Sequence, residues 1–360
     1  MRVLFITRKF PPQVGGMEHY SYALIESYPE EKITITLRHR RLHLVWFLPY
    51  ALVMGLYYSR RVDLVYLTDG LLAPLGYLLK VFCTVPVIIT AHGLDVTYDN
   101  WAYRKLVIPS IRRLDHVVTV SRQTIAECTA RGIDIERCTC IPNGFDAHRI
   151  ASTREARSVV QSLIGVSGEG RFILLTVGRL IKRKGVQWFI ERVLPHLPPE
   201  VLYVIVGRGE EYDRIRDSIA ERGLERRVRL LGFISNETLR RLYGSSDLFI
   251  MPNVKVPGDI EGFGIVALEA AASGVPVIAS RLEGIQEAIT EGRNGILVAS
   301  NDASAFIRTI TRLMEHTAEL QQLSVSSRTY TVERYNWSVI IRQYQQLFQE
   351  VRDRSRASTG

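Results

Sequence analysis

The chain has 360 residues, 46% hydrophobic and 23% charged, which excludes a disordered or fibrous protein and leaves ample material for two buried cores. Its net charge of +9 falls mostly in the first half, in the clusters Arg38/Arg40/Arg41, Arg60/Arg61, Arg104/Lys105 and Arg112/Arg113. Such clusters either attract anionic partners or simply solubilise the surface. Cys83, Cys128, Cys138 and Cys140 show neither a disulfide framework nor paired zinc spacing, which points to reduced thiols in the cytoplasm. The short apolar run from Val3 to Ile6 meets Arg8 and Lys9 at once and does not read as a signal peptide.

Apolar, β-branched runs recur along the chain, separated by segments of helical period. In the first half they are Val3–Thr7, Ile33–Leu37, Leu64–Leu67, Pro86–Thr90, Val117–Val120 and Cys138–Ile141. In the second half they are Phe172–Val177, Leu202–Val206, Val228–Leu231, Leu248–Met251, Pro276–Ala279 and Ile296–Val298. Continuous apolar runs between helices predict parallel strands buried on both faces, and so two successive doubly wound α/β units. Residues 1–150 are expected to form the first domain and 151–336 the second, with the polar stretch between Ile150 and Arg171 as the seam. Residues 337–351 carry Ile340, Ile341, Tyr344, Leu347 and Phe348 at helical spacing and need a surface to pack on, expected on the first domain. Arg352–Gly360 is expected to fray.

The segment Leu42–Tyr58 is the longest apolar stretch. It falls short of the about 20 residues of a spanning helix, carries His43 near one end and Pro49 at its middle, and joins two strands of one sheet. A crossover helix is therefore predicted. Plain burial in the first domain and docking in an anionic lipid interface both remain readings of it, the second favoured by its cationic flanks and its Trp and Tyr residues.

Chemistry concentrates in Glu261-Gly262-Phe263-Gly264-Ile265-Val266-Ala267-Leu268-Glu269, which follows the strand Leu248–Met251. Gly262 and Gly264 allow close backbone approach, and a helix starting near Gly264 turns free N–H groups and its positive end toward an anion. Glu269, more than a turn further on, has the reach of a ribose, and Glu261 lies at the mouth where a sugar would sit. An ordinary helix start with Glu269 solvated is the plainer alternative.

This string, with its E-x7-E spacing, resembles that of retaining glycosyltransferases of family 4, which have the GT-B fold: two Rossmann-like domains facing each other across a cleft. The likeness continues through Thr176-Val177-Gly178-Arg179-Leu180 with Lys184-Gly185, and through Val206-Gly207-Arg208-Gly209-Glu210, Leu231-Gly232-Phe233 and Asp247–Pro252. Gly274–Ala279 extends it, as do Pro11-Pro12 with Gly15-Gly16, Ala91-His92-Gly93 and Pro142-Asn143-Gly144 in the first half. The local string around Gly258-Asp259-Ile260-Glu261-Gly262 resembles phosphatidylinositol mannosyltransferases and their relatives, which use GDP-mannose.

The resemblance implies a retaining enzyme that moves a hexose from GDP-mannose or a UDP-sugar to a glycan or lipid-linked acceptor. No nucleic-acid partner, cofactor or bound metal is implied. Arg179 and Lys184 would neutralise the diphosphate leaving group. Glu261 would hold a sugar hydroxyl and stabilise the oxocarbenium-like state, and His92 would touch the transferred sugar. Donor contacts are expected from Gly15, Gly16, Gly207, Phe233, Ile234, Gly262, Phe263, Gly264, Ile265, Val266 and Glu269. Structural alternatives stand beside several of these. Gly15-Gly16 is also a tight turn and His92 a satisfied structural histidine; Asp95 either touches sugar or acceptor or caps the following turn, and Ser121 reads as an N-cap. No second carboxylate stands out as a nucleophile for double displacement, so front-face attack with a diphosphate oxygen taking the proton is the expected route. A sugar-nucleotide epimerase on the same fold is the alternative activity. An inactive binding subunit is disfavoured because Glu261, Arg179 and Lys184 are all present.

Overall fold

The computed structural model describes residues 1–13, 15–37, 44–98, 100–101, 103–146 and 157–359. Arg38, Arg40, Arg41, Leu42, His43 and the first part of the expected seam lie outside the described residues. Two compact units emerge. The first comprises Met1–Phe145 with Gly258–Phe263 and Tyr335–Gly360, and the second Asp146–Pro257 with Gly264–Arg334.

The first unit holds a six-stranded sheet in the order β2-β1-β3-β4-β5-β6. Its strands are β1 Val3–Thr7, β2 Lys32–Thr36, β3 Leu64–Leu67, β4 Val87–Ala91, β5 His116–Thr119 and β6 Cys138–Cys140. All pairings are parallel. The alternating side-chain period of a strand explains the apolar runs. Leu4 and Ile6 enter one core with Phe47, Ala51, Leu75 and Leu79. Val3 and Phe5 enter the other, with Tyr20, Leu24, Ile340, Tyr344 and Phe348. The C-terminal helix Trp337–Thr359 thus completes the second core of this unit. Its anchor is a buried hydroxyl cluster, in which the Tyr20 hydroxyl lies 2.8 Å from that of Tyr344, 2.9 Å from Thr90 Oγ1 and 3.0 Å from the Tyr66 hydroxyl. The frayed end expected from Arg352 onward is instead helical to Thr359. No Gly or Pro interrupts it, and Arg356 donates to Asp63 at 3.0 Å.

The second unit has the sheet order β12-β11-β10-β7-β8-β9. Its strands are β7 Phe172–Val177, β8 Val201–Val206, β9 Val228–Gly232, β10 Leu248–Met251, β11 Val277–Ser280 and β12 Gly295–Val298. Counted from its own first strand, this is the 3-2-1-4-5-6 order of dinucleotide-binding sheets, in which chain direction across the sheet reverses between β7 and β10. β8 is buried along its whole length, with Leu202, Val204 and Val206 on one face and Val201, Tyr203 and Ile205 on the other.

Candidate active site

Ligands of open parallel sheets bind beyond the carboxyl ends of the strands, where the winding reverses. In the second unit that point lies between the loops after β7 and β10, and backbone joins the two. Val254 N–H donates to Arg183 C=O at 2.9 Å. Gly185, at φ 65°, lies so close to the other loop that a Cβ there would stand 1.9 Å from the Pro252 carbonyl oxygen. The next loop is stitched the same way: Gly178 N–H donates to Val206 C=O and Leu180 N–H to Arg208 C=O, both at 3.0 Å. A Cβ on Gly207 would fall 1.9 Å from Gly178 O, and one on Gly209 2.1 Å from Leu180 O.

Gly207 is therefore a packing glycine. Its own N–H is taken by Gly232 C=O at 2.8 Å, so its Cα and carbonyl are the parts left for a ligand. On this frame Arg179 is exposed and Lys184 half-buried, with Lys184 Cε folded 3.7 Å from the Cβ position of Gly178. Phe233 is 79% exposed, while Ile234 packs on the core.

The helix Ile265–Ala272 begins from Gly264, whose φ of 82° is a left-handed conformation that a side chain would strain. Ile265 and Val266 form its half-buried first turn. Glu269, also half-buried, accepts a hydrogen bond from the buried Tyr243 hydroxyl at 3.1 Å. Desolvation raises its pKa to about 7, against the opposing effect of the tyrosine hydrogen bond. Such a carboxylate is short of hydrogen-bond donors, which the hydroxyls of a ligand can provide.

In the first unit the loop carrying Glu261 lies against the loop carrying His92. A Cβ on Gly93 would meet the Gly262 Cα and the Ile260 side chain at 3.4 Å. Phe263 is buried with its ring 6.0 Å from that of Tyr335, so its backbone is the part able to serve a ligand. His92 Nε2 is 3.0 Å from Thr68 O. A carbonyl can only accept, so Nε2 carries the proton and Nδ1 is left as an acceptor. Burial lowers the imidazole pKa to about 4, with the Thr68 contact opposing, and the neutral ring stacks edge-on to Tyr20 at 4.6 Å. Asp95 caps this loop, accepting from His92 N–H at 3.0 Å. Ser121 caps the helix Arg122–Ala130 by accepting from Thr124 N–H at 3.1 Å.

Gly15 and Gly16 open the helix Gly16–Ser27, but the space beside Gly15 is taken by the buried Glu18 carboxylate. Lys9 Nζ neutralises that carboxylate at 2.7 Å.

Sequence reading missed a second buried pair. Arg8, just beyond β1, donates through Nε to Asp69, just beyond β3, at 2.8 Å, and those strands flank the reversal point of this sheet. Burial raises the Asp69 carboxyl pKa and Arg8 draws it back down. The available signal was a charged residue one or two positions after each apolar run. Tyr243 was missed as well, since nothing local marks the tyrosine that orients Glu269. Among the described residues, no group of His, Cys, Asp and Glu is arranged to hold a metal ion.

Two parallel doubly wound units, with a glycine-capped helix start, an oriented carboxylate and loop cations at the strand ends, define an α/β class that handles phosphorylated ligands. Known proteins narrow the class. The family model for glycosyltransferase family 4 matches residues 2–149, and that for glycosyl transferases group 1 matches residues 164–329. The chain belongs to the family 4 glycosyltransferases and has the GT-B fold. It is 26% identical to an uncharacterized glycosyltransferase of Methanocaldococcus jannaschii over 95% of this chain and 96% of that one. Against the GDP-mannose-dependent alpha-(1-6)-phosphatidylinositol monomannoside mannosyltransferase of Mycolicibacterium smegmatis it is also 26% identical, over 93% and 95%. The crystal structure of Anabaena HepE in complex with UDP-glucose matches with a TM-score of 0.82 and 20% identity, over 97% of this chain and 100% of that one. At that identity the likeness concerns the fold.

Proposed function

We propose that this chain transfers a hexose, with retention and without a bound metal, from a nucleoside-diphosphate sugar to a glycan or lipid-linked acceptor. The observation that carries this reading is the placement of Glu269. Tyr243 orients it, inside the helix whose Gly264-capped start follows β10 at the reversal point of the second sheet. The second unit is the donor-binding one. Its helix start faces the diphosphate, Glu269 accepts the ribose hydroxyls, and Arg179 and Lys184 balance the charge that develops on the leaving group. The first unit serves the acceptor and the transferred sugar. His92 Nδ1 accepts from a sugar hydroxyl, and Glu261 stabilises the positive charge at the anomeric carbon. The incoming hydroxyl attacks from the leaving-group side and gives its proton to a diphosphate oxygen.

GDP-mannose is the first donor to test, supported by the near full-length likeness to the mannosyltransferase, with UDP-hexoses next. A cytoplasmic site of action is supported by the four cysteines, none of which forms a disulfide.

The experiment is a thermal-shift screen of GDP, UDP and their sugars, followed by product analysis. A donor present at 100 times its Kd stabilises by about 2.7 kcal/mol. Glu269→Ala should weaken nucleotide binding. Glu261→Gln, Arg179→Ala and Lys184→Ala should chiefly lower kcat, by roughly a hundredfold or more. An unchanged kcat in Glu261→Gln would sink the role given to that residue. Free epimerised nucleotide without glycosylated product would make the chain an epimerase.

A further inference from the structure

We propose that three neighbouring elements of the first unit form a face that docks in the interface of an anionic lipid bilayer. This rests on the reading of the acceptor as lipid-linked. The helix Leu44–Ser59 contains no charged residue in its 16 positions. Phe47, Ala51, Gly55 and Ser59, four apart, are its buried stripe. Gly55 permits close packing on the next helix, Ala73–Phe82, since a Cβ there would lie 2.9 Å from Leu79 Cδ2.

A helix covering a sheet in water carries polar residues on its outer side. Here that side presents Val45, Trp46, Tyr50, Val53 and Tyr57, with Trp46 77% exposed. The helix is therefore apolar all round although only one stripe is buried, and its neighbours repeat the pattern. Ala73–Phe82 exposes Leu78, Val81 and Phe82, and the stretch leading into Ile108–Ile111 exposes Trp101 and Leu106. All three elements share one core through Phe47, Leu79 and Ile111, so their outward residues lie on one side of the sheet. Singly exposed apolar residues are ordinary, but this many on adjoining elements are not.

Charge identifies the occupant. Residues 44–61, 73–82 and 103–113 include no Asp or Glu, while Arg60, Arg61, Arg104, Lys105 and Arg113 are exposed. Arg61 lies 4.7 Å over the Tyr57 ring and Arg113 5.0 Å over that of Tyr77. Cations held above aromatic rings at the margin of an apolar face suit phosphate head groups above acyl chains. A second copy of the chain, paired on the same patch, would bring these cations against their like. The helix lies in the interface and does not span it. At about 24 Å it is shorter than the hydrocarbon core. It also connects β2 to β3 of one parallel sheet, and no helix among the described residues is long and apolar enough to cross a membrane.

The test is sedimentation of the full chain with vesicles of phosphatidylcholine alone or mixed with phosphatidylglycerol, at low and high salt. Binding should favour the anionic vesicles by at least about tenfold and weaken with salt. Trp46→Ser and Arg60→Glu/Arg61→Glu should each reduce it by roughly tenfold, while the melting temperature and the stabilisation by nucleoside diphosphate stay unchanged. Absence of vesicle binding would overturn the proposal, as would binding indifferent to both variants. A dimer that Trp46→Ser dissociates, with no lipid binding, would overturn it in favour of self-association. Nucleoside-diphosphate binding is measured without lipid, so its failure would sink the donor reading and leave the vesicle result intact.

Discussion

The two sheets end in different materials. Beyond the strands of the second unit the loops are locked by backbone on backbone, with Gly185 against Pro252, Gly207 against Gly178 and Gly209 against Leu180. Beyond the strands of the first unit they are held by desolvated side chains, in the pairs Arg8–Asp69 and Lys9–Glu18 and in the His92–Thr68 contact. A backbone lock leaves exposed and half-buried cations standing on a frame that does not depend on protonation. A side-chain lock depends on pH, because burying a carboxylate costs more once it is charged.

The sharpest break of this comparison is a single methyl group. Gly185→Ala and Gly207→Ala must displace a carbonyl and hold a side chain at positive φ, so each should cost roughly 3 kcal/mol or more. Gly16→Ala meets nothing within 4 Å and should stay within about 0.5 kcal/mol of the parent. Urea melts of the three variants decide it, and an unperturbed Gly185→Ala would remove the backbone lock.

A smaller effect is expected from Arg8→Ala, about 2–4 kcal/mol, because it strands a buried carboxylate. Asp69 has a folded pKa raised above its unfolded value, so any stabilisation from holding its proton is present at low pH and is lost as pH rises through the folded pKa. Without Arg8 that pKa climbs further, and the penalty should be larger at pH 8 than at pH 5. Equal losses at both pH values would mean that Arg8 acts through packing alone.

The smallest effect falls on Glu269, a pH-sensitive carboxyl inside the helix that follows β10 of the backbone-locked unit. Its folded pKa of about 7 exceeds the unfolded value, so the free protein loses stability as pH rises toward and through 7. Glu269→Gln should therefore melt higher than the parent at pH 8, by about 1–2 kcal/mol, and match it near pH 4.5. The same variant should bind nucleoside diphosphate more weakly. Parent binding should tighten as pH rises through 7 if Glu269 holds the ribose as proposed, since a carboxylate can accept from both hydroxyls. A variant less stable than the parent at pH 8 would refute the desolvation account.

The strands were legible because a run such as Phe172–Val177 or Leu64–Leu67 has no stable place except a parallel sheet covered on both faces. The helix start after Gly264 and the carboxylate inside it were legible for an equally local reason: glycine, dipole and spacing act within a few residues. The glycines were visible, but their function was not. Nothing in the sequence shows that Gly207 must be glycine because the Gly178 carbonyl lies against it.

The order of elements, their parallel pairing and the Glu261 to Glu269 string were determined by the sequence itself, because each depends on side-chain period or on neighbours in the chain. Which carbonyl presses on a glycine, which carboxylate meets Arg8 across 61 residues, and that Gly258–Phe263 belongs with the first unit were decided by tertiary structure. So was the bare outer side of Leu44–Ser59. An apolar segment has the same composition whether its faces are covered or open, and only the arrangement of distant elements around the sheet decides which is which.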